Sequence, residues 1–153
     1  MNLKETLEQE IYDNKLQLIY TSRLPKQLHG LLIDNVVCID RNLPIYRKNS
    51  ILAEELGHYH TTQGGILNKD KIVDLKQECR ARRWSYERVA PLKKIIEAIE
   101  KGAGTDYEIA EYLEIDIETL SEIINHYRLK HGESSIIGNY LLRFYPCLNI
   151  YKF

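Results

Sequence analysis

Leu3, Leu7 and Ile11 recur at every fourth position among charged and polar neighbours, a spacing that predicts an opening helix. Leu16, Leu18 and Tyr20 then alternate with polar residues and predict a strand that ends before Pro25. The β-rich run 31–39 is interrupted by Asp34-Asn35, a pair suited to a tight turn, so it reads as a hairpin of residues 29–33 and 36–40. Ser50 is a candidate N-cap for the next helix. Glu54 and Glu55 would then lie in its first turns, where acids match the helix dipole, and Gly64-Gly65 would end it. A second long helix is expected over 70–89. Pro91 is a break or the first turn of the next helix, whose apolar stripe Leu92, Ile95, Ile96 and Ile99 runs out at Gly102. Two short helices follow, 106–113 capped by Thr105 or Asp106, and 117–131 opened by Asp116 or Ile117 and stopped by Gly132. Residues 140–153, rich in Tyr, Leu, Phe and Ile around Pro146, read as two short strands forming a terminal hairpin. The expected fold class is α+β, mainly helical.

Composition narrows the functional classes. The 153 residues are 44% hydrophobic and 28% charged, enough to bury a core in one domain with a small appendage. A net charge of −1 argues against a globally basic nucleic-acid binder. The first 24 residues carry Glu5, Glu8, Glu10 and Asp13 and have no apolar core of a secretory signal. No run reaches the roughly 18 apolar residues of a membrane helix. Cys38, Cys79 and Cys147 are odd in number and far apart, neither a disulfide framework nor a CxxC zinc site, so a cytoplasmic protein is expected. Charge is unevenly placed, with a net +5 over residues 76–94 and a net −8 over residues 97–122.

The segment with chemistry is Ile51-Leu52-Ala53-Glu54-Glu55-Leu56-Gly57-His58-Tyr59-His60. On a helix, Glu54 and His58 are four residues apart and share a face, so a carboxylate oxygen and an imidazole nitrogen can reach one metal ion. Glu55 lies about 100° further round, beside such an ion rather than on it. This is the logic of the H-E-x-x-H zinc peptidase helix, in which two side chains hold zinc and the intervening Glu takes a proton from water. Here Glu54 replaces the first His. The extra carboxylate adds negative charge, makes a bound ion less Lewis acidic, and leaves room for Mn2+ or Fe2+ as alternatives to Zn2+. Gly57 costs about 1 kcal/mol against Ala inside a helix, which is best explained by a strand or helix packing closely there. His60 points roughly 200° away from His58 and reads as a packed or exposed histidine.

With those residues in place, the chain resembles the ImmA/IrrE family of metallo-endopeptidases. The resemblance runs through Gly30-Leu31-Leu32-Ile33, Val36-Val37-Cys38-Ile39, Leu43 and residues 51–60, which look like that family's β-hairpin leading into its zinc helix. It continues in Gln77-Glu78-Cys79-Arg80-Ala81-Arg82-Arg83-Trp84, which looks like the family's second helix, and in residues 107–113 with the helix ending near His131-Gly132, and it covers about residues 16–132. It implies a zincin-like core with a small antiparallel β-hairpin over residues 1–102, and an appendage over residues 103–153 made of a helix-turn-helix-like helix pair and the terminal β-hairpin. It also implies a third, acidic ligand at Glu78, so that Glu54, His58 and Glu78 hold Zn2+ and Glu55 is the catalytic base. The implied substrate is a protein, a helix-turn-helix repressor of a phage or mobile element. The strand at 36–40 is expected to pair with extended substrate, and Tyr59, Tyr86 or Arg82 to stabilise the oxyanion.

Other readings compete. Glu78 also suits a plain ion pair with Arg82, four residues on. A catalytically weak pseudo-peptidase would act by binding its partner, as an antirepressor. A DNA-binding helix-turn-helix is a third reading for residues 106–131, but Glu118 and Glu122 stand at the helix end that should meet base edges, against direct nucleic-acid binding. The basic run 76–94, with Trp84 and Tyr86 among its charges, reads as a solvated helix face. Oligomeric state is not legible in the sequence.

Overall fold

The computed structural model describes residues 1–62 and 71–153. Among these the chain forms two compact units, Met1–Ser85 and Tyr86–Phe153.

The first unit opens with α1 (Leu3–Asp13), started by a reciprocal capping box between Asn2 and Glu5. Leu3, Leu7 and Ile11 are its buried face, as their spacing predicts. Three strands follow, β1 (Gln17–Thr21), β2 (Gly30–Ile33) and β3 (Val36–Asp40). Asp34 and Asn35 turn the β2–β3 hairpin with φ of +48° and +64°, the left-handed pair that a two-residue hairpin turn requires. The sheet order is β1-β3-β2. β1 runs parallel to β3 with Gln17 opposite Val36, and β2 runs antiparallel with Gly30 opposite Ile39. This corrects one expectation. β3 is the central strand, with neighbours on both sides, so residues 36–40 have no edge left for a substrate; β2 and β1 are the edges.

α2 (Ile45–Thr61) packs on β2, β3 and α1. It begins five residues before the expected cap. Pro44, with φ of −57°, occupies the N-cap position, and the Lys48 amide donates the first helical hydrogen bond to the Pro44 carbonyl at 2.9 Å. Ser50 is therefore not a cap. It is buried inside the helix, where its hydroxyl donates to the Tyr46 carbonyl at 3.2 Å. Glu54 and Glu55 fall in mid-helix, where the dipole gives them no help. The expected stop at Gly64-Gly65 lies outside the described residues; α2 ends at Thr61, with the Thr62 amide donating to the His58 carbonyl. α3 (Lys71–Val89) is the second long helix, and the division between the two units falls within it. The core of the first unit is built from Leu7, Ile11, Val37, Ile39, Leu52, Leu56 and Ala81.

The second unit contains α4 (Leu92–Glu100), α5 (Asp106–Leu113) and α6 (Ile117–His131). The Thr105 hydroxyl caps α5 by accepting from the Glu108 amide, and Asp116 caps α6 by accepting from the Thr119 amide. Gly132, at φ of +86°, stops α6. A three-stranded antiparallel sheet follows, β4 (Ser134–Ile137), β5 (Tyr140–Arg143) and β6 (Asn149–Lys152). The terminal hairpin is β5–β6; β4 is an additional strand. Its sequence, Ser-Ser-Ile-Ile, has no polar–apolar alternation to announce it, and it pairs with β5 through the turn at Gly138, φ +58°. Leu113, Ile115, Leu120, Ile123 and Leu142 form the core here, and the Tyr127 hydroxyl donates to the Ala90 carbonyl at 2.8 Å.

Candidate metal centre

Helical spacing puts Glu54 and His58 on one face of α2. A third donor comes from α3, and the reason the two helices come so close is Gly57. A Cβ built at Gly57 would overlap the Ala81 carbonyl of α3, so only glycine permits this backbone-to-backbone crossing. Ala81 is fully buried at the contact. Glu78 and Arg82 flank it on α3, just as Glu54 and His58 flank Gly57 on α2, so the crossing sets these four side chains against one another.

His58 Nε2 lies 3.2 Å from Glu78 Oε2. One ligand atom each from Glu54, His58 and Glu78 can be chosen so that all three lie within 4.8 Å of one another. Arg82 reaches into the same cluster, with Nε 3.6 Å from Glu54 Oε1 and Nη2 3.6 Å from Glu78 Oε1. The i, i+4 ion pair read from the sequence therefore exists, and Glu78 takes part in the convergent cluster through its other oxygen.

The electrostatics follow from burial and partners. The hydrogen bond from His58 is the main reason Glu78 is held well below the usual carboxylate range, and the same bond raises His58. Burial, then a hydrogen bond to Glu78, pushes Glu54 up. Glu55 is 6% exposed, and burial pushes its carboxyl up to about 7, with the Glu54 and Glu78 charges adding to the rise and His58 opposing it. A buried carboxyl poised near neutrality beside a donor cluster is suited to taking and returning a proton.

Above Glu55 lies β2. A Cβ at Gly30 would stand 2.9 Å from Glu55 Oε1 and 2.5 Å from Ile51 Cγ2, so the glycine keeps open the space between the edge strand and the carboxyl. Two carboxylates and one imidazole are the donors that borderline and hard divalent cations take. With three convergent, partly exposed donors, and with no side chain at Gly30 to crowd Glu55 beside them, the residues fit such an ion.

The remaining candidates sort by geometry. His60 turns away and is exposed, with Nε2 3.3 Å from Glu10 Oε1 and its ring stacked on Trp84 at 4.7 Å. The Tyr86 hydroxyl donates to Glu122. Tyr59 meets the His60 ring edge-on. Of the three oxyanion candidates, Arg82 has contacts to the Glu–His–Glu cluster. The sequence reading missed Gly30, whose signal is a glycine inside a β-rich run, and it missed Arg82's reach to Glu54, which depends on the crossing of two helices.

No curated protein and no solved structure matches the chain significantly. A family model described as the IrrE N-terminal-like domain matches residues 8–125. That span takes in the β2–β3 hairpin, α2 and α3 with their donors, α4, α5 and the first part of α6, and by it the chain belongs to the M78 peptidase family.

Proposed function

We propose that this chain is a metal-dependent endopeptidase in which Glu54, His58 and Glu78 hold one divalent ion and Glu55 is the general base. The observation that carries this reading is the convergence of three donors from two helices beside a buried carboxyl with a raised pKa. The ion is Zn2+, with Mn2+ or Fe2+ as alternatives suited to the two-carboxylate set. When bound, it polarises the scissile carbonyl and increases the acidity of the attacking water. Glu55 takes the proton of that water on its carboxylate and passes it to the leaving amine nitrogen. β2, as the edge strand next to Glu55, holds extended substrate by main-chain pairing, a role moved from the central strand β3.

The peptidase part in this reading is residues 1–102, and residues 103–153 are the appendage. The appendage carries most of the acidic block 97–122, net −8. A surface of that sign suits the basic DNA-binding face of a helix-turn-helix repressor better than it suits phosphate, so we read the substrate as such a repressor, of a phage or mobile element in the cytoplasm. No described helix is long and apolar enough to cross a membrane.

A second reading, a pseudo-peptidase that inactivates its partner by binding, is favoured by Glu54 in place of His and by Arg82 lying against two of the three donors. Co-expression with candidate repressors, read by mass spectrometry, separates the two. The peptidase predicts one defined cut that disappears in Glu55→Gln while metal stays bound. Uncut repressor held by the wild-type chain would favour the binding reading, and a cut that survives Glu55→Gln would remove Glu55 as the base.

A further inference from the structure

We propose that Arg82 is an internal cation that spans Glu54 and Glu78 and competes with a divalent ion for these two carboxylates. The inference rests on the metal-site reading above and adds a competitor to it. Arg82 is one turn beyond Glu78 on α3, yet it also spans to Glu54 on α2, with guanidinium nitrogens 3.6 Å from an oxygen of each. Planar, forked and permanently charged, a guanidinium can serve two carboxylates at once in a way that a lysine cannot. Glu78 divides its oxygens, Oε1 toward Arg82 and Oε2 toward His58.

The charge balance gives the bridge its consequence. Glu54 and Glu78 share a hydrogen bond while Glu54 keeps its proton; once both are ionised they repel across the crossing at Gly57 and Ala81, and Arg82 offsets that repulsion. A divalent ion in the same cluster offsets it more strongly, and a guanidinium left close to the ion would repel it. The Arg82 side chain is 50% exposed, so it can swing its head into water while the stem stays on the helix. The bridge therefore holds the two helices' carboxylates together and lowers their affinity for metal, and it arises with the second carboxylate: a His at position 54 would give Arg82 no anion on α2 to span to.

The test uses the whole purified chain, stripped of metal and titrated with Zn2+ against a chromogenic chelator, together with urea unfolding of the metal-free form. Arg82→Gln is expected to bind Zn2+ about tenfold more tightly, the scale on which an adjacent guanidinium opposes loading of a carboxylate. Its metal-free form is expected to unfold at lower urea, and added Zn2+ to restore the midpoint. A residue that only props up the fold would lower both readouts together. Should Arg82→Gln prove insoluble, Arg82→Lys reads the same effect at smaller size, because a point charge spans two carboxylates less well. Zn2+ binding that is unchanged or weaker in the soluble variant overturns the inference and leaves the metal site standing. If neither the wild-type chain nor Arg82→Gln takes up Zn2+, both are overturned.

Discussion

α2 and α6 are both long helices that bury part of their surface, and what they bury differs in chemistry. α6 buries Thr119, Leu120, Ile123 and Tyr127 and ends in a turn bearing Arg128, Lys130 and His131, where cations suit the dipole. Its N-cap is the Asp116 carboxylate, which accepts from both the amide and the hydroxyl of Thr119. α2 has no side-chain cap and buries Asn49, Ser50 and Glu55 among its apolar residues. It also places Glu54 and His58, half-buried, against Glu78 of a second helix. Burying a carboxyl in mid-helix costs stability, and packing does not require it. One helix follows the local rules of stability, and the other departs from them at the residues that can hold a cation and move a proton, which is where departures are expected in a functional protein.

If the contrast is right, damage to α6 should lower stability and spare the metal site. Ile123→Ala removes a fully buried side chain and is expected to cost about 2–5 kcal/mol, seen in urea unfolding of the second unit, with Zn2+ stoichiometry of the folded protein unchanged. The α2 counterpart couples the two properties. Gly57→Ala gains helix propensity but drives a Cβ into the Ala81 carbonyl, so a net loss of about 1–3 kcal/mol is expected, with weaker Zn2+ binding because the helices that carry the donors are pushed apart. Full stability with full Zn2+ affinity in this variant would show that the crossing does not set the site. Thr105→Ala is the smallest change, about 1 kcal/mol from the lost cap of α5, with metal binding unaffected.

The same contrast explains what the sequence made legible. The bounds of α5 and α6 were readable to the residue because Thr105, Asp116 and Gly132 act within one turn of their own helix. The start of α2 was not, since Ser50 looks like a cap and Pro44 starts the helix by fixing a dihedral angle rather than by offering a hydrogen bond. The β2–β3 hairpin was legible in its turn residues, but the parallel partner of β3 was not, because no local turn links β1 to it. At the candidate site, Glu54, Glu55 and His58 could be read from helical spacing and Gly57 from its cost. Glu78 came from the family resemblance, since its spacing to Arg82 fits an ordinary ion pair equally well. Gly30 and the bridging reach of Arg82 are tertiary facts, set by which backbone lies over which side chain.

The claim on which the account turns is that three side chains from two helices hold one ion. Elemental analysis of the purified chain, incubated with Zn2+ and desalted, tests it directly when run beside His58→Ala and Glu78→Ala. One equivalent of Zn2+ per wild-type chain, lost in both folded variants, is the predicted result; a wild-type chain without metal, or variants that keep the full equivalent, would contradict it.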